Sequence, residues 1–369
     1  MTGRDMLLAI DQLTVDYGGR RSRTGLRALE GVSLHVAPGE TVGLVGESGS
    51  GKSTIARAVL GLAPVTSGTI AFAGRDITRA SFRERRSLAA SLQAVFQDPT
   101  SSLNPSRTVG AILAEPMIAQ GIKDRARIRD RTRVMLEKTG LPPDAVARYP
   151  AQFSGGQRQR IGIARALMLA PKLVICDEVV SALDLSVQAQ ILNLLGDLQR
   201  DQGLSYLFIS HDPDVVRHLC DRVVVLYRGR VMEAGPGERV MAAPAHPYTD
   251  ELLAAAPVPD PRLQRGRQLL TARAAAVAAA AEVRSAGRQP GGGGCPFSDR
   301  CRHATDLCRR EVPPLRAVAA EATGTGEVSV ACHRYPEWRA EKERQARQPE
   351  TPDASQQPGT PTVPARGAG

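Results

Sequence analysis

Residues 42–45, Val-Gly-Leu-Val, run directly into Gly46-Glu47-Ser48-Gly49-Ser50-Gly51-Lys52-Ser53-Thr54. The apolar run reads as a short buried strand, and the segment after Gly51 can open a helix, so the glycines occupy a strand-to-helix turn. Glycines there let main-chain N–H groups converge at a helix N-terminus, where an anion is favoured. Lys52 adds a positive charge, and the Ser53 hydroxyl can ligate Mg²⁺. All nine residues, Gly46 to Thr54, are candidate ligands of the phosphates of a nucleotide.

A phosphate loop alone implies binding, so the reaction depends on what accompanies it. Leu173-Val174-Ile175-Cys176-Asp177-Glu178 is a second apolar strand, ending in two carboxylates. Asp177 suits Mg²⁺ coordination, and Glu178 suits polarisation of an attacking water. An acidic strand end is common in turns, and only the phosphate loop earlier in the chain gives this one chemical meaning. Further buried-strand candidates are residues 92–96, 206–209 and 223–227, with strand-like alternation over 5–17 and 32–36. Residues 187–199 carry helical periodicity, and the whole predicts a mostly parallel sheet with helices on both faces.

Between residues 96 and 153 the composition turns helical and polar, with candidate helices over 109–120 and 126–138, which reads as a helical insert. After about Pro236 the strand pattern stops. An Ala/Arg-rich stretch leads through glycines 291–294 to a group of cysteines. From 341 to 369 the chain is rich in Pro, Gln, Gly, Thr and Ala without apolar periodicity, the signature of a disordered tail.

Across 369 residues the chain carries 42% hydrophobic and 23% charged residues, ordinary values for a globular protein. Its net charge of +10 raises the question of nucleic acid. The arginines are dispersed and aromatics make up only 4%, too few for base stacking, so a face toward phosphates or anionic lipid is the better reading and no nucleic-acid partner is expected. No run approaches the roughly 20 apolar residues of a membrane helix, the alanine run 274–281 included, and the N-terminus lacks a signal-peptide core. A cytosolic chain is expected.

At Phe153-Ser154-Gly155-Gly156-Gln157, between the phosphate loop and the acidic strand, the sequence resembles the ABC ATPases. The resemblance implies a P-loop NTPase cassette in the α/β class: a RecA-like parallel core with an antiparallel β subdomain, an inserted helical subdomain and a small C-terminal cysteine-containing extension. It implies that Ser154, Gly156 and Gln157 contact the γ-phosphate held by an opposite subunit. Phe96-Gln97-Asp98-Pro99 resembles the Q-loop, with Gln97 near Mg²⁺ and the water. Ser181-Ala182-Leu183-Asp184 resembles the D-loop, which places Asp184 at the dimer interface. Ser210-His211-Asp212 resembles the switch loop, with His211 at the γ-phosphate, although a lone histidine at a strand end is more often structural. Tyr17 is the candidate for stacking on adenine, with a plain core or edge-strand residue as the other reading. Where many relatives have Asp-Glu-Pro, this chain has Asp177-Glu178-Val179, which removes the proline that pre-sets φ in the turn aiming Glu178.

Gln97 to Pro105, the run 153–195, and His246-Pro247-Tyr248-Thr249 followed by Pro257-Val258-Pro259-Asp260-Pro261 resemble the oligopeptide/dipeptide/nickel importer branch, in the second of its two paired ATPase subunits. The implied domains are the ATPase cassette over 5–262 with its helical insert at about 98–160, a linker over 263–294, the cysteine extension over 295–336 and the tail over 341–369. The implied cofactors are ATP and Mg²⁺. The implied partners are a paralogous ATPase subunit, two membrane permease subunits and an external solute-binding protein, with this chain on the cytoplasmic face of the membrane. The rival reading is a cytosolic ABC ATPase acting on ribosomes or DNA. Such proteins usually carry two cassettes or a long coiled coil, and this chain has one phosphate loop and no sustained heptads. An exporter is a further alternative, set back by the lack of a fused membrane domain.

Cys176 and Cys220 fall in or beside core strands, whereas Cys295, Cys301, Cys308 and Cys332 lie together in one segment. In a reducing cytosol four clustered thiols point to a metal rather than to two disulfides. Their spacing lacks the Cys-x2-Cys knuckle of structural zinc. Cys295-Pro296-Phe297-Ser298-Asp299-Arg300-Cys301 and Val330-Ala331-Cys332-His333 resemble an importer-branch extension that in some members holds a [4Fe–4S] cluster. Zinc and four free thiols stay open. Because the segment is remote in sequence from every nucleotide motif, and because a cluster could cross-link a region with too few apolar residues to fold alone, a structural role is expected of it.

Overall fold

The computed structural model describes residues 6–18, 25–97, 102–255, 293–318 and 327–347. Two sheets organise them. The first is antiparallel, in the order β2-β1-β4-β5, formed by β1 (Leu8–Tyr17), β2 (Leu26–Val36), β4 (Ser67–Phe72) and β5 (Arg75–Asp76). Along β1 and β2 buried residues alternate with more accessible ones, as expected for a sheet with one face on a core.

The second sheet has eight strands in the order β11-β12-β10-β9-β3-β8-β7-β6. Its parallel half comprises β9 (Arg222–Tyr227), β3 (Thr41–Val45), β8 (Ser205–Ile209), β7 (Leu173–Asp177) and β6 (Leu92–Val95). All five residues of β3 and of β8 are buried, which explains why these strands read as continuous apolar runs rather than as alternation. One face carries a core with the antiparallel sheet and the helix Lys52–Val59, through residues such as Leu13, Leu44, Ile55 and Ile175. The other face packs on the helical insert, where Leu113, Met117, Met135, Leu136 and Ile161 share one core with Phe208 and Val225. The insert's helices are Val109–Ala119, Arg125–Lys138 and Gly155–Leu167, the last running past the expected boundary at 160. Residues 98–101, at its start, lie outside the described residues.

The strands do not stop at Pro236. After β10 (Arg230–Pro236), two strands from the extension, β11 (Arg316–Val318) and β12 (Val328–Val330), continue the eight-stranded sheet. β12 pairs antiparallel with β10 at Glu233↔Val330 and Ala234↔Ser329. Three-residue strands lack the length for a recognisable alternation, so only the pairing reveals them. Phe297 is buried against Tyr227 and Tyr248, with ring centroids 5.4 Å apart in both pairs. Trp338, also buried, donates its indole N–H to the Ala245 carbonyl at 2.9 Å. That tryptophan belongs to the helix Glu337–Arg347, so position 341, where composition starts the tail, falls inside a helix. The rest of the tail, the linker up to residue 292 and the 257–261 motif lie outside the described residues.

Candidate nucleotide site

β3 delivers the chain to the phosphate turn. Gly46 has φ of 152°, and a Cβ there would come within 2.2 Å of the Leu226 carbonyl oxygen. At Gly51, with φ of 108°, a Cβ would meet Leu29 Cδ2 at 2.6 Å. Only glycine fits these two places, because β9 and β2 press on the turn from either side. The turn forms a cradle before the helix Lys52–Val59, whose N-terminus has no side-chain cap. Its leading N–H groups are therefore donors for an anion.

Lys52 is buried, and its Nζ donates to the carbonyls of Gly46 at 2.7 Å and Glu47 at 2.8 Å. The Ser50 hydroxyl is 3.4 Å away. Burial lowers the Lys52 pKa, while Glu178, Asp177 and Glu47 pull it back up. The Ser53 hydroxyl lies 3.1 Å from Asp177 Oδ1. Burial raises the Asp177 pKa; the Ser53 hydrogen bond opposes this and the charge of Glu178 adds to it. A carboxylate and a hydroxyl side by side are the hard oxygen donors that Mg²⁺ takes, so these residues fit that ion.

Glu178 adopts φ of 51°, a left-handed conformation that costs a non-glycine residue on the order of 1–3 kcal/mol. Hydrogen bonds hold the turn in place of the absent proline. The Glu178 N–H donates to the Ile209 carbonyl at 3.1 Å, and the Ser181 hydroxyl donates to the Glu178 carbonyl at 3.0 Å. Val179 is buried below. His211 Nδ1 stands 3.6 Å from Glu178 Oε1. Gln97, at the end of β6, donates from Nε2 to the Ser181 hydroxyl at 3.3 Å, which places it beside this turn.

Tyr17, Ser48, Gly49, Gly51, Lys52, Ser53, Thr54 and Glu178 line one cavity of about 560 Å³. Ser154, Gly156 and Gln157 do not line it. They start the helix Gly155–Leu167, where the Ser154 hydroxyl accepts from the Gln157 N–H at 3.4 Å and Gln157 Oε1 accepts from the Ser154 N–H at 3.0 Å. A Cβ on Gly156 would meet Val187 Cγ1 at 2.3 Å, so this glycine lets two helices touch. Asp184 likewise caps the helix Leu185–Gln202, accepting from the Val187 N–H at 3.0 Å, and that bond lowers its pKa.

The extension is not remote in space. Gly293, Gly294, Cys295, Pro296, Ser298, Asp299 and Arg309 form one wall of the same cavity, although they are far from the phosphate turn in sequence. Arg27, Arg228 and Arg230 also line it, cations that no local pattern distinguishes from other surface arginines.

The four clustered cysteines border a second, much smaller cavity of about 10 Å³ together with His246 and His333. Burial pushes the Cys295 and Cys332 thiols up to about 12, and neighbouring thiols add to the rise. Among the described residues no group of three or more His, Cys, Asp or Glu side chains is arranged to hold a metal ion. The donor chemistry thus suits a thiolate metal centre, while the arrangement is not that of one. Burial likewise raises the pKa of Cys176 and Cys220.

Residues 29–181 match the family model described as ABC transporter, and residues 232–308 match that of the oligopeptide/dipeptide transporter C-terminal region. A putative peptide import ATP-binding protein of Brucella ovis is 49% identical over 312 residues, covering 85% of this chain and 94% of that one. The oligopeptide transport ATP-binding protein OppF of Salmonella typhimurium is 45% identical over 320 residues, covering 85% and 93%. Among solved structures, CbiO1 of Clostridium perfringens, part of an ABC transporter complex, superposes with a TM-score of 0.58 at 30% identity over 65% of this chain and 92% of that one. A dimeric ATP-binding cassette in a post-hydrolysis state with ADP and phosphate gives 0.55 at 29% identity, covering 61% and 96%. Glycine cradle, paired carboxylates and matches over most of the chain agree: this protein belongs to the ABC transporter family of ATP-binding subunits, in the group that carries the oligopeptide/dipeptide transporter C-terminal region.

Proposed function

We propose that this chain hydrolyses ATP to power an ABC importer of peptides or similar small solutes. The observation that carries the reading is a division of parts. Lys52, Ser53, Asp177, Glu178 and His211 gather at the ends of adjoining strands, whereas Ser154–Gln157 lines no part of their cavity. Such a site is completed by the signature loop of a second ATPase subunit. The relatives bearing peptide-import names are similar over nearly their whole length, which supports the substrate class.

In this reading the cradle and Lys52 hold the β- and γ-phosphates, Tyr17 meets the adenine, and Glu178 polarises the attacking water. His211 and Gln97 contact the γ-phosphate side, and Asp184 faces the partner. Mg²⁺ held by Ser53 and Asp177, with Gln97 nearby, neutralises phosphate charge when bound. Closure of the ATPase pair is passed to the membrane subunits through the helical insert.

The partner ATPase is a paralogue, the pair docks on two permease subunits at the cytoplasmic face, and an external binding protein delivers solute. Among the described residues no helix is long and apolar enough to cross a membrane, which agrees with peripheral attachment. Uptake of labelled peptide into vesicles bearing the complex tests this. Uptake should require ATP, this chain and its paralogue together. Full uptake with this chain as the sole ATPase removes the heterodimer, and ATP turnover stimulated by ribosomes or DNA instead of peptide removes transport.

The four clustered cysteines border one small cavity but, among the described residues, are not arranged as a metal site, and the reading of this chain as an ATPase does not depend on one.

A further inference from the structure

Glu47, the second residue of the phosphate turn, is gripped from outside the cassette core at both its main chain and its side chain. Its N–H donates to the Tyr248 hydroxyl at 2.9 Å. Its two carboxylate oxygens each lie 2.9 Å from Arg300 Nη1, and Arg300 Nη2 reaches Glu251 at 2.5 Å. Tyr248 and Glu251 belong to the helix Pro247–Ala255, and Arg300 sits between Phe297 and Cys301 in the extension.

The guanidinium is well placed to act as a fixed point. Its side chain is only 13% exposed, and its centre lies 5.5 Å from the Phe297 ring centroid and 5.8 Å from that of Tyr227. Burial opposes its charge, but Glu251 and then Glu47 outweigh burial and keep its pKa above the usual value. Glu47 in turn bears on the phosphate-binding cation, because its carbonyl accepts from Lys52 Nζ at 2.8 Å and from the Ser50 N–H at 3.1 Å. A chain of contacts therefore runs from the extension through Glu47 to the ammonium that meets the nucleotide.

We propose that Arg300 is a positioning residue for ATP binding: the extension uses it to hold Glu47, and through Glu47 the turn and Lys52, in the geometry that receives the phosphates. The ground state needs that geometry before any chemistry, so its loss should appear in nucleotide affinity rather than in the hydrolytic step. Because Glu47 is partly solvated, the effect is moderate.

The proposal rests on ATP binding at this loop, and the test separates the two. In the purified transporter complex, ATP KM and kcat are measured for wild type, Arg300→Gln, Glu47→Gln, the double variant and Glu251→Gln. Arg300→Gln and Glu47→Gln should each raise KM about fivefold with kcat within about twofold, the size of a lost charge-assisted bond at a partly exposed site. The double variant should be no worse than either single one, since both remove the same link. Glu251→Gln, which leaves the Glu47 contact, should change KM little. Emission from Trp338, the chain's one tryptophan, reports whether the extension stays docked. If Arg300→Gln undocks it, Glu47→Gln still decides, because Arg300 keeps Glu251. Unchanged KM in Glu47→Gln, or effects that multiply in the double variant, overturns the proposal. A wild-type complex without ATP turnover would instead refute the function on which it rests.

Discussion

His211 Nδ1 and Glu178 Oε1 stand 3.6 Å apart although 32 residues separate them in the chain. The sheet explains the meeting. β7 and β8 are parallel neighbours in register, with Asp177 opposite Ile209, so the residues just beyond the two strand ends are brought side by side. Glu178 is mostly enclosed, whereas His211 has 57% of its side chain exposed. In the proposed function the pair would join the base to a group on the γ-phosphate side.

His211→Ala should slow turnover in the assembled complex by about 10²-fold while ATP binding stays near normal, the scale of losing one donor to developing charge. Steady-state kinetics combined with equilibrium nucleotide binding separates the two quantities. Equal loss of binding and turnover would make His211 a ground-state ligand instead.

Lys52→Ala should act on the ground state. Its ammonium is the buried cation of the cradle, bonded to the Gly46 and Glu47 carbonyls. Removing it should weaken ATP binding at least about tenfold, the cost of a charge-assisted hydrogen bond. Titration with a fluorescent ATP analogue measures this, and an unchanged dissociation constant would move the phosphates elsewhere.

Much of the cassette was legible in the sequence because its central strands are buried on both faces and read as short apolar runs, as β3, β7 and β8 do. The insert helices at 109–119 and 125–138 start where Thr108 and Asp124 cap them, close to the boundaries expected from composition. β4, β5, β10, β11 and β12 carry weaker patterns. Ser67–Phe72 mixes small and apolar residues, and β11 and β12 have three residues each, so tertiary pairing rather than local preference makes them strands. Local patterns single out Lys52, Ser53, Asp177 and Glu178, and only the family resemblance singles out His211; the structure brings Ser53 to Asp177 and His211 to Glu178. Arg300 and Tyr248 lie in segments already singled out, yet no local signal shows that both reach Glu47 across 253 and 201 residues.

Glu233 gives a pH dependence of stability. It is fully buried on β10 and accepts from the N–H groups of Ala245 at 2.7 Å and His246 at 2.9 Å. Burial raises its pKa from 4.5 to about 7, against those two N–H bonds and the charge of Arg339. Between those values the folded chain holds a proton that the unfolded chain has lost, so stability falls as pH rises from about 4.5 to 7 and is flat above. The full span is on the order of 3 kcal/mol. Urea unfolding followed by Trp338 emission should show this decline in wild type and not in Glu233→Gln. The same decline in both would exonerate Glu233.

The most direct test is single-site hydrolysis by the purified complex carrying Glu178→Gln. Glu178 is held at a left-handed turn beside Asp177, Ser53 and His211, with its carboxylate open to the phosphate cavity. If it polarises the water, ATP affinity should be retained while turnover at this subunit's site falls by about 10²–10⁴-fold, the usual range for a lost general base. Near-wild-type turnover at that site, with ATP bound, would contradict hydrolysis by this chain through Glu178.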